Sequence, residues 1–360
     1  MPVNCCKKRR RASALSAMIL RLNPSSRHHG TPPGSAAAVP LTAVPGWLRS
    51  AVPGAQSVAG NGVEDVALAA GAALGTLDAV VRRQERWAGA WRQRLALAAA
   101  AATTKRAGRL EDEAALRDAL LLTKGADDVG PGGQMLWAWR RLTAQPSAEL
   151  LTAKTLAAVL QDFGHARDDA AVSGLAEELR QLAGKSGTLG VLTGALVAAE
   201  RHGFGRLLGA WLADAVLAQR LGWAHAIPLL GGEPAFSAGA ARPRRARAGL
   251  AVMGGEKGPH ATTNLLAAQA RAALRAIDLS SELGRRADRL LAVAPKLRAK
   301  GADAIVDRLL NEDALVASRE DRDKHNGMSD RGLRRLFDRL VALGVVRELS
   351  GRPTFRIYGL

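Results

Sequence analysis

The chain has 360 residues, 48% of them hydrophobic, which is long and apolar enough to bury a sizeable core and rules out disorder throughout. Alanine and leucine dominate while aromatic residues make up only 4%, and both dominant residues lose little side-chain freedom in a helix, so an all-α fold is expected. The formal charge of +18 favours a polyanionic partner; the bland alternative is a vocabulary rich in alanine and arginine with no partner behind it.

The first 50 residues hold eight Lys or Arg and no acid, which leaves +10 for the rest. Residues 1–61, rich in Pro, Gly, Ser and Ala with "TPPGSAAAVP" from Thr31, carry no sustained period and read as a flexible basic extension, with Met18 as an alternative start. Cys5 and Cys6 are the only cysteines, and neighbours in a basic tail neither staple a distant loop nor build a zinc site. Lys7 to Arg11 followed by "ASALSAMIL" resembles a secretory leader. Arg21 cuts its apolar run short and no small-residue cleavage site follows, so a cytoplasmic home is expected.

A helical domain is expected over residues 62–230. "VEDVALAAGAALGTLDAVVRRQ" places Gly71 and Gly75 four apart, which would let another helix approach closely. "ERWAGAWRQRLALAAAAATTKRAGR" sets Trp87 and Trp91 on one face, a spacing that packing requires and that makes them core rather than a ligand platform. Neither apolar run here reaches the roughly 20 residues of a membrane span. "LEDEAALRDALLL" starts with acids suited to a helix N-terminus and offers Glu113 with Arg117 as an i, i+4 pair. Further helices are expected over 134–144, 148–163, 168–183, 188–201 and 206–221, the last with Leu208, Trp211, Leu212 and Ala215 on one stripe.

Residues 231–261, with "RPRRARAGLAVMGGEKGPH", read as a linker or surface loop. A long helix and its connection fill 262–300, the helix ending where Pro295 forbids continuation.

Three motifs imitate catalytic signatures. "DFG" at Asp162 to Gly164 lacks the catalytic loop and lysine-bearing strand of a kinase, and "GFGRLLG" at Gly203, Gly205 and Gly209 follows an alanine-rich stretch rather than a buried strand. Asp162 lies at helical reach of His165, but the further motif and the two glutamates that a di-iron bundle needs are absent. Acids at Glu111, Asp112, Glu113 and Asp118 stand beside Arg109 and Arg117, as on a solvated or ion-paired helix surface. No cofactor, metal or catalytic residue is expected, and the chain reads as something other than an enzyme.

Residues 301–360 carry the one legible mechanism. Ser329 can cap a helix beginning at Asp330, with Leu333, Leu336, Phe337, Leu340, Val341 and Leu343 on an apolar face and Arg331, Arg334, Arg335, Asp338 and Arg339 opposite; Gly344 stops it. "VVREL" and "TFRIY", joined by "SGRP", form a hairpin in which Phe355 and Ile357 return to the core and Arg347, Arg352 and Arg356 stay outside. A capped basic helix followed by a basic hairpin resembles the last helix and wing of a winged helix-turn-helix. The seven arginines of residues 331–360 face only Asp338 and Glu348, so Arg331, Arg334, Arg335, Arg339, Arg347, Arg352 and Arg356 are the expected nucleic-acid contacts, with double-stranded DNA the partner. The polar "NEDALVASREDRDKHNG" before Ser329 is longer than the turn of a simple helix-turn-helix, and a short helix from Asp313 to Ser318 would bridge it.

Taken together, "WRQRLALAAAAATTKRAGRLEDEAALRDALLL", "LADAVLAQRLGW", "LLAVAPKLRAKGADAIVDRLL" and "MSDRGLRRLFDRLVALGVVRELSGRPTFRIYGL" resemble a bacterial family known as domain of unknown function 1403, over residues 62–360. That resemblance implies no reaction, cofactor or catalytic residue. The last segment is also similar to the winged-helix ends of some Fic-type proteins, without the Fic catalytic loop. The expected protein is cytoplasmic, multi-helical and DNA-binding through a winged helix-turn-helix-like end, with the helical domain dimerising or receiving a signal. The competing expectation is a scaffold whose winged end contacts a protein.

Overall fold

The computed structural model describes residues 44–54, 62–123, 127–166, 168–233, 259–317 and 328–360. They belong to one compact unit, Leu41–Leu360, and the expectations placed on Cys5, Cys6, Met18 and Arg242 to Arg247 lie outside them. The described residues hold α1 (Gly46–Ala51), α2 (Val63–Arg82), α3 (Ala88–Arg106), α4 (Glu113–Leu122), α5 (Gly130–Ala144), α6 (Ala153–Asp162), α7 (Asp169–Lys185), α8 (Thr188–Arg201), α9 (Gly205–Leu221), α10 (Pro259–Val293), α11 (Ala302–Asn311) and α12 (Asp330–Ala342). Three short strands, β1 (Leu315–Val316), β2 (Arg347–Glu348) and β3 (Ile357–Gly359), form one antiparallel sheet in the order β1-β3-β2. The protein is all-α apart from this small sheet. Among the described residues no helix is long and apolar enough to cross a membrane.

Local chemistry sets the helix ends. Asp112, Thr152 and Asp168 each accept a hydrogen bond from the first turn of the helix that follows, satisfying amides that have no partner within it. Gly222 closes α9 in the left-handed conformation that side-chain-bearing residues avoid.

The helices pack in pairs, α2 along α10, α3 along α5 and α8 along α9, around one continuous core. Four tryptophans tie the elements together, burying a large ring while each indole N–H finds an acceptor. Trp91 donates to the Ala276 carbonyl at 2.9 Å, Trp139 to Thr103 Oγ1 at 3.0 Å, Trp211 to the Ala138 carbonyl at 2.9 Å and Trp223 to Asp78 Oδ1 at 2.8 Å. Trp87 and Trp91 are core, as their spacing required. A turn at Leu230–Gly232 sits beneath Trp139; a methyl group on Gly231 would lie 2.1 Å from the ring, so only glycine fits.

Several expectations need correction. Within the stretch read as a flexible extension, α1 buries Leu48 in the core, and Arg49 pairs with Asp278 of α10 at 2.5 Å. Gly71 and Gly75 meet nothing within 4 Å, so α2 packs on α10 through Val66, Ala69, Ala73 and Leu77 and not through its glycine face. Arg117 turns from Glu113 towards Asp313, because a fully buried carboxylate competes better for a guanidinium than a neighbour on the same helix. Leu315 and Val316 are a strand where a short helix was expected: Leu315 pairs with Tyr358 and Val316 with Ile357.

The terminal segment is fixed to the body on several sides. Leu333, Leu336, Phe337 and Leu340 enter the core, and Phe337 stacks on Tyr358 with ring centroids 4.3 Å apart. Ala314, Val316 and Ile357 form a second cluster with Leu121 and Leu122 of α4. Gly359 passes so close to Asp313 that an added Cβ would lie 2.7 Å from its carbonyl oxygen. Phe337 is fully buried, so Phe337→Ala should cost about 3 kcal/mol or more in chemical denaturation and loosen α12 against the sheet. A loss under about 1 kcal/mol would show that the stack does not position the helix.

Candidate nucleic-acid interface

Ser329 caps α12, its Oγ accepting from the Gly332 amide at 3.2 Å, and Gly344 follows the helix at φ 66°. The buried Leu333, Leu336, Phe337 and Leu340 recur at the helical period and turn Arg331, Arg334, Arg335, Asp338 and Arg339 outward. Val341 and Leu343, expected on the apolar face, are exposed at the end of the helix, where the chain turns away towards β2.

The hairpin lies beside α12. Leu349 donates to the Ile357 carbonyl at 2.8 Å, and Ile357 donates to Ser350 Oγ at 3.2 Å, closing the loop between β2 and β3. Ile357 is buried as expected. Phe355 is not: it stands 66% exposed at φ 52°, a left-handed conformation in which its side chain is carried away from the core.

The structure divides the seven candidate arginines. Arg331, Arg334, Arg335, Arg339 and Arg347 are exposed and make no ion pair among the described residues. Arg352, at the tip of the hairpin, is taken up by Asp118 of α4. Arg356 lies 3.9 Å from both Asp338 and Glu348, which brings helix and hairpin side by side. A hydrogen bond with Tyr358 and the two nearby carboxylates hold the Arg356 guanidinium above its usual pKa, and burial pushes the Tyr358 phenol up. Arg352 and Arg356 are therefore committed to protein carboxylates, whereas the other five are not.

Sequence reasoning missed what holds this surface in place. Asp313, with no exposed side-chain area, pairs with Arg94 of α3 and with Arg117 of α4 at 2.7 Å. Burial alone would push its carboxyl up, but Arg94 and Arg117 overcome that and hold it below the usual range. Asp313 sits in a polar stretch where nothing local marks it out. Asp118, which ties down Arg352, looked like one more surface acid.

Elsewhere charged groups also satisfy each other. Asp162 pairs with Arg141 and not with His165. A groove of about 870 Å³ between α1, α3 and α10 carries Arg49, Arg275, Asp278 and Glu282, all committed to partners within the protein, and Arg285, which has none among the described residues. No group of three or more metal-ligating side chains occurs among the described residues.

A family model described as a protein of unknown function (DUF1403) matches residues 35–360. Neither a curated protein nor a solved structure matches.

Proposed function

We propose, from the premise that the chain belongs to this family of proteins of unknown function, that it is a DNA-binding protein of the cytoplasm whose terminal helix α12 meets the duplex. One observation carries the reading. On the helical body the exposed Arg49, Arg82, Arg86, Arg180, Arg201 and Arg206 each engage a carboxylate and Arg220, Arg285, Arg289 and Arg298 do not, whereas Arg331, Arg334, Arg335 and Arg339 crowd four to one short helix face with none among the described residues. Like charges left together repel, and a phosphate backbone is the partner that relieves them.

The order of elements supports it. Helix α11, strand β1, helix α12 and the hairpin β2–β3, with β3 central, resemble a winged helix-turn-helix, in which the last helix enters the major groove. The segment between β1 and α12, residues 318–327, lies outside the described residues. In this reading the protein is a binder with no reaction of its own, Arg334 and Arg335 contact phosphates or base edges, and the body presents the helix.

A protein partner is the second reading, because Val341, Leu343 and Phe355 are exposed apolar side chains of the same terminal segment and Arg352 is occupied by Asp118. One substitution separates the two. Arg334→Glu puts like charge against phosphate and should weaken binding of a labelled duplex roughly 100-fold at moderate salt, with an unchanged circular dichroism spectrum. Unchanged affinity would reject the DNA reading in favour of the protein partner.

A further inference from the structure

We infer that the DNA surface continues off the terminal segment onto α10, where Arg285 and Arg289 hold phosphates of the same duplex beside Arg347. The inference rests on the DNA reading above and assigns to the helical body a part of the interface.

The junction is defined by contacts. Arg286 of α10 donates to the Leu360 carbonyl at 3.1 Å, and Leu360 follows Gly359, the ladder partner of Arg347. Arg94 reaches the same point, 3.5 Å from where a Cβ on Gly359 would lie. One turn of α10, the end of β3 and the start of β2 therefore meet at a single place.

That place is crowded with guanidiniums. Burial lowers the pKa of Arg286, and the neighbouring Arg347, Arg94 and Arg289 lower it further against the opposing pull of Glu282. Arg94 is engaged by Asp313 and Arg286 by Glu282, so those two are neutralised within the protein. Arg285, Arg289 and Arg347 are exposed and make no ion pair among the described residues. The Arg289 Nε donates to the Arg285 carbonyl at 3.2 Å, which holds the stem of one side chain against the base of the other.

Asp288 is the remaining carboxylate of this stretch; it is exposed and pairs with none of these arginines. Arg285 and Arg289 rise about 6 Å apart along the helix axis. That step is close to the spacing of alternate charges along one DNA strand, about 3.4 Å of axis each. A polyanion of regular spacing satisfies all three free arginines at once, which a single small anion cannot do.

The test uses the full chain and fluorescence anisotropy of a labelled mixed-sequence duplex at several salt concentrations. Arg285→Ala with Arg289→Ala is compared with Lys105→Ala plus Lys154→Ala, which removes the same charge from exposed positions on α3 and α6. The α10 variant should bind about 10-fold more weakly near 100 mM salt and flatten the slope of log K against log salt by roughly two units, while the control keeps the wild-type slope. If the α10 variant behaves as the control while Arg334→Ala with Arg335→Ala is weakened, the inference is overturned and the DNA reading stands. If neither arginine pair matters, both are overturned.

Discussion

Asp313→Ala should destabilise the protein by roughly 3–5 kcal/mol, because it removes the carboxylate that pairs with two guanidiniums that have left bulk water to reach it. Arg94 and Arg117 come from α3 and α4, and Asp313 opens the segment that leads into β1, so one side chain ties the sheet to two helices of the body. Arg140 lies close enough to feel the same charge, and burial already depresses its pKa. Removing Asp313 leaves Arg94 and Arg117 without their ion-pair partner and takes a favourable charge from Arg140. Asp313→Asn keeps the shape and loses the charge, so it should lose most of the same stability. The pH dependence follows from the direction of the Asp313 shift. A carboxyl held below its usual pKa contributes fully above the unfolded value and loses that contribution as pH falls through the folded value, so the wild type should weaken in acid more steeply than either variant. Guanidinium denaturation at pH 7 measures the main effect; a loss under about 1 kcal/mol would mean that the segment is held by Leu121, Leu122 and Ile357 instead.

Asp214 should act in the opposite direction. It is fully buried in α9 and accepts hydrogen bonds from the amides of Leu229, Leu230 and Gly231, which fixes the turn beneath Trp139. Burial pushes its pKa up to about 7, against the pull of those amides and of Arg106. A carboxyl with a raised folded pKa stabilises fully below its unfolded value, and that contribution is lost as pH rises through the folded one. Stability should therefore fall between about pH 4 and pH 7, by an amount on the order of 4 kcal/mol. Asp214→Asn should flatten this part of the profile, measured by chemical denaturation across the range. A variant with the wild-type slope would place the titration elsewhere.

The two aspartates also show what one-dimensional reading can and cannot find. Helices announced themselves through period and caps: Thr188–Arg201 was legible to the residue, and Asp330–Ala342 with its Ser329 cap nearly so. The tryptophans read as core because a spacing of four puts both rings on one face. What failed depended on distant partners. Phe355 has the composition of an inward strand residue, yet the loop before β3 takes it out at positive φ. β1 is two residues long, too short to show alternation, and exists because β3 pairs with it. Arg352 and Arg334 look alike in the sequence; Asp118, more than two hundred positions away, commits one and leaves the other free.

The account turns on whether the unpaired arginines of α12 meet phosphate. The most direct measurement is the salt dependence of duplex binding by the full chain, beside the variant carrying Arg334→Ala and Arg335→Ala. If four or five phosphates are neutralised, log K should fall with log salt at a slope near about −4, and the variant should flatten it by roughly two units. A duplex that does not bind at low salt, or a slope untouched by the two substitutions, would contradict the account.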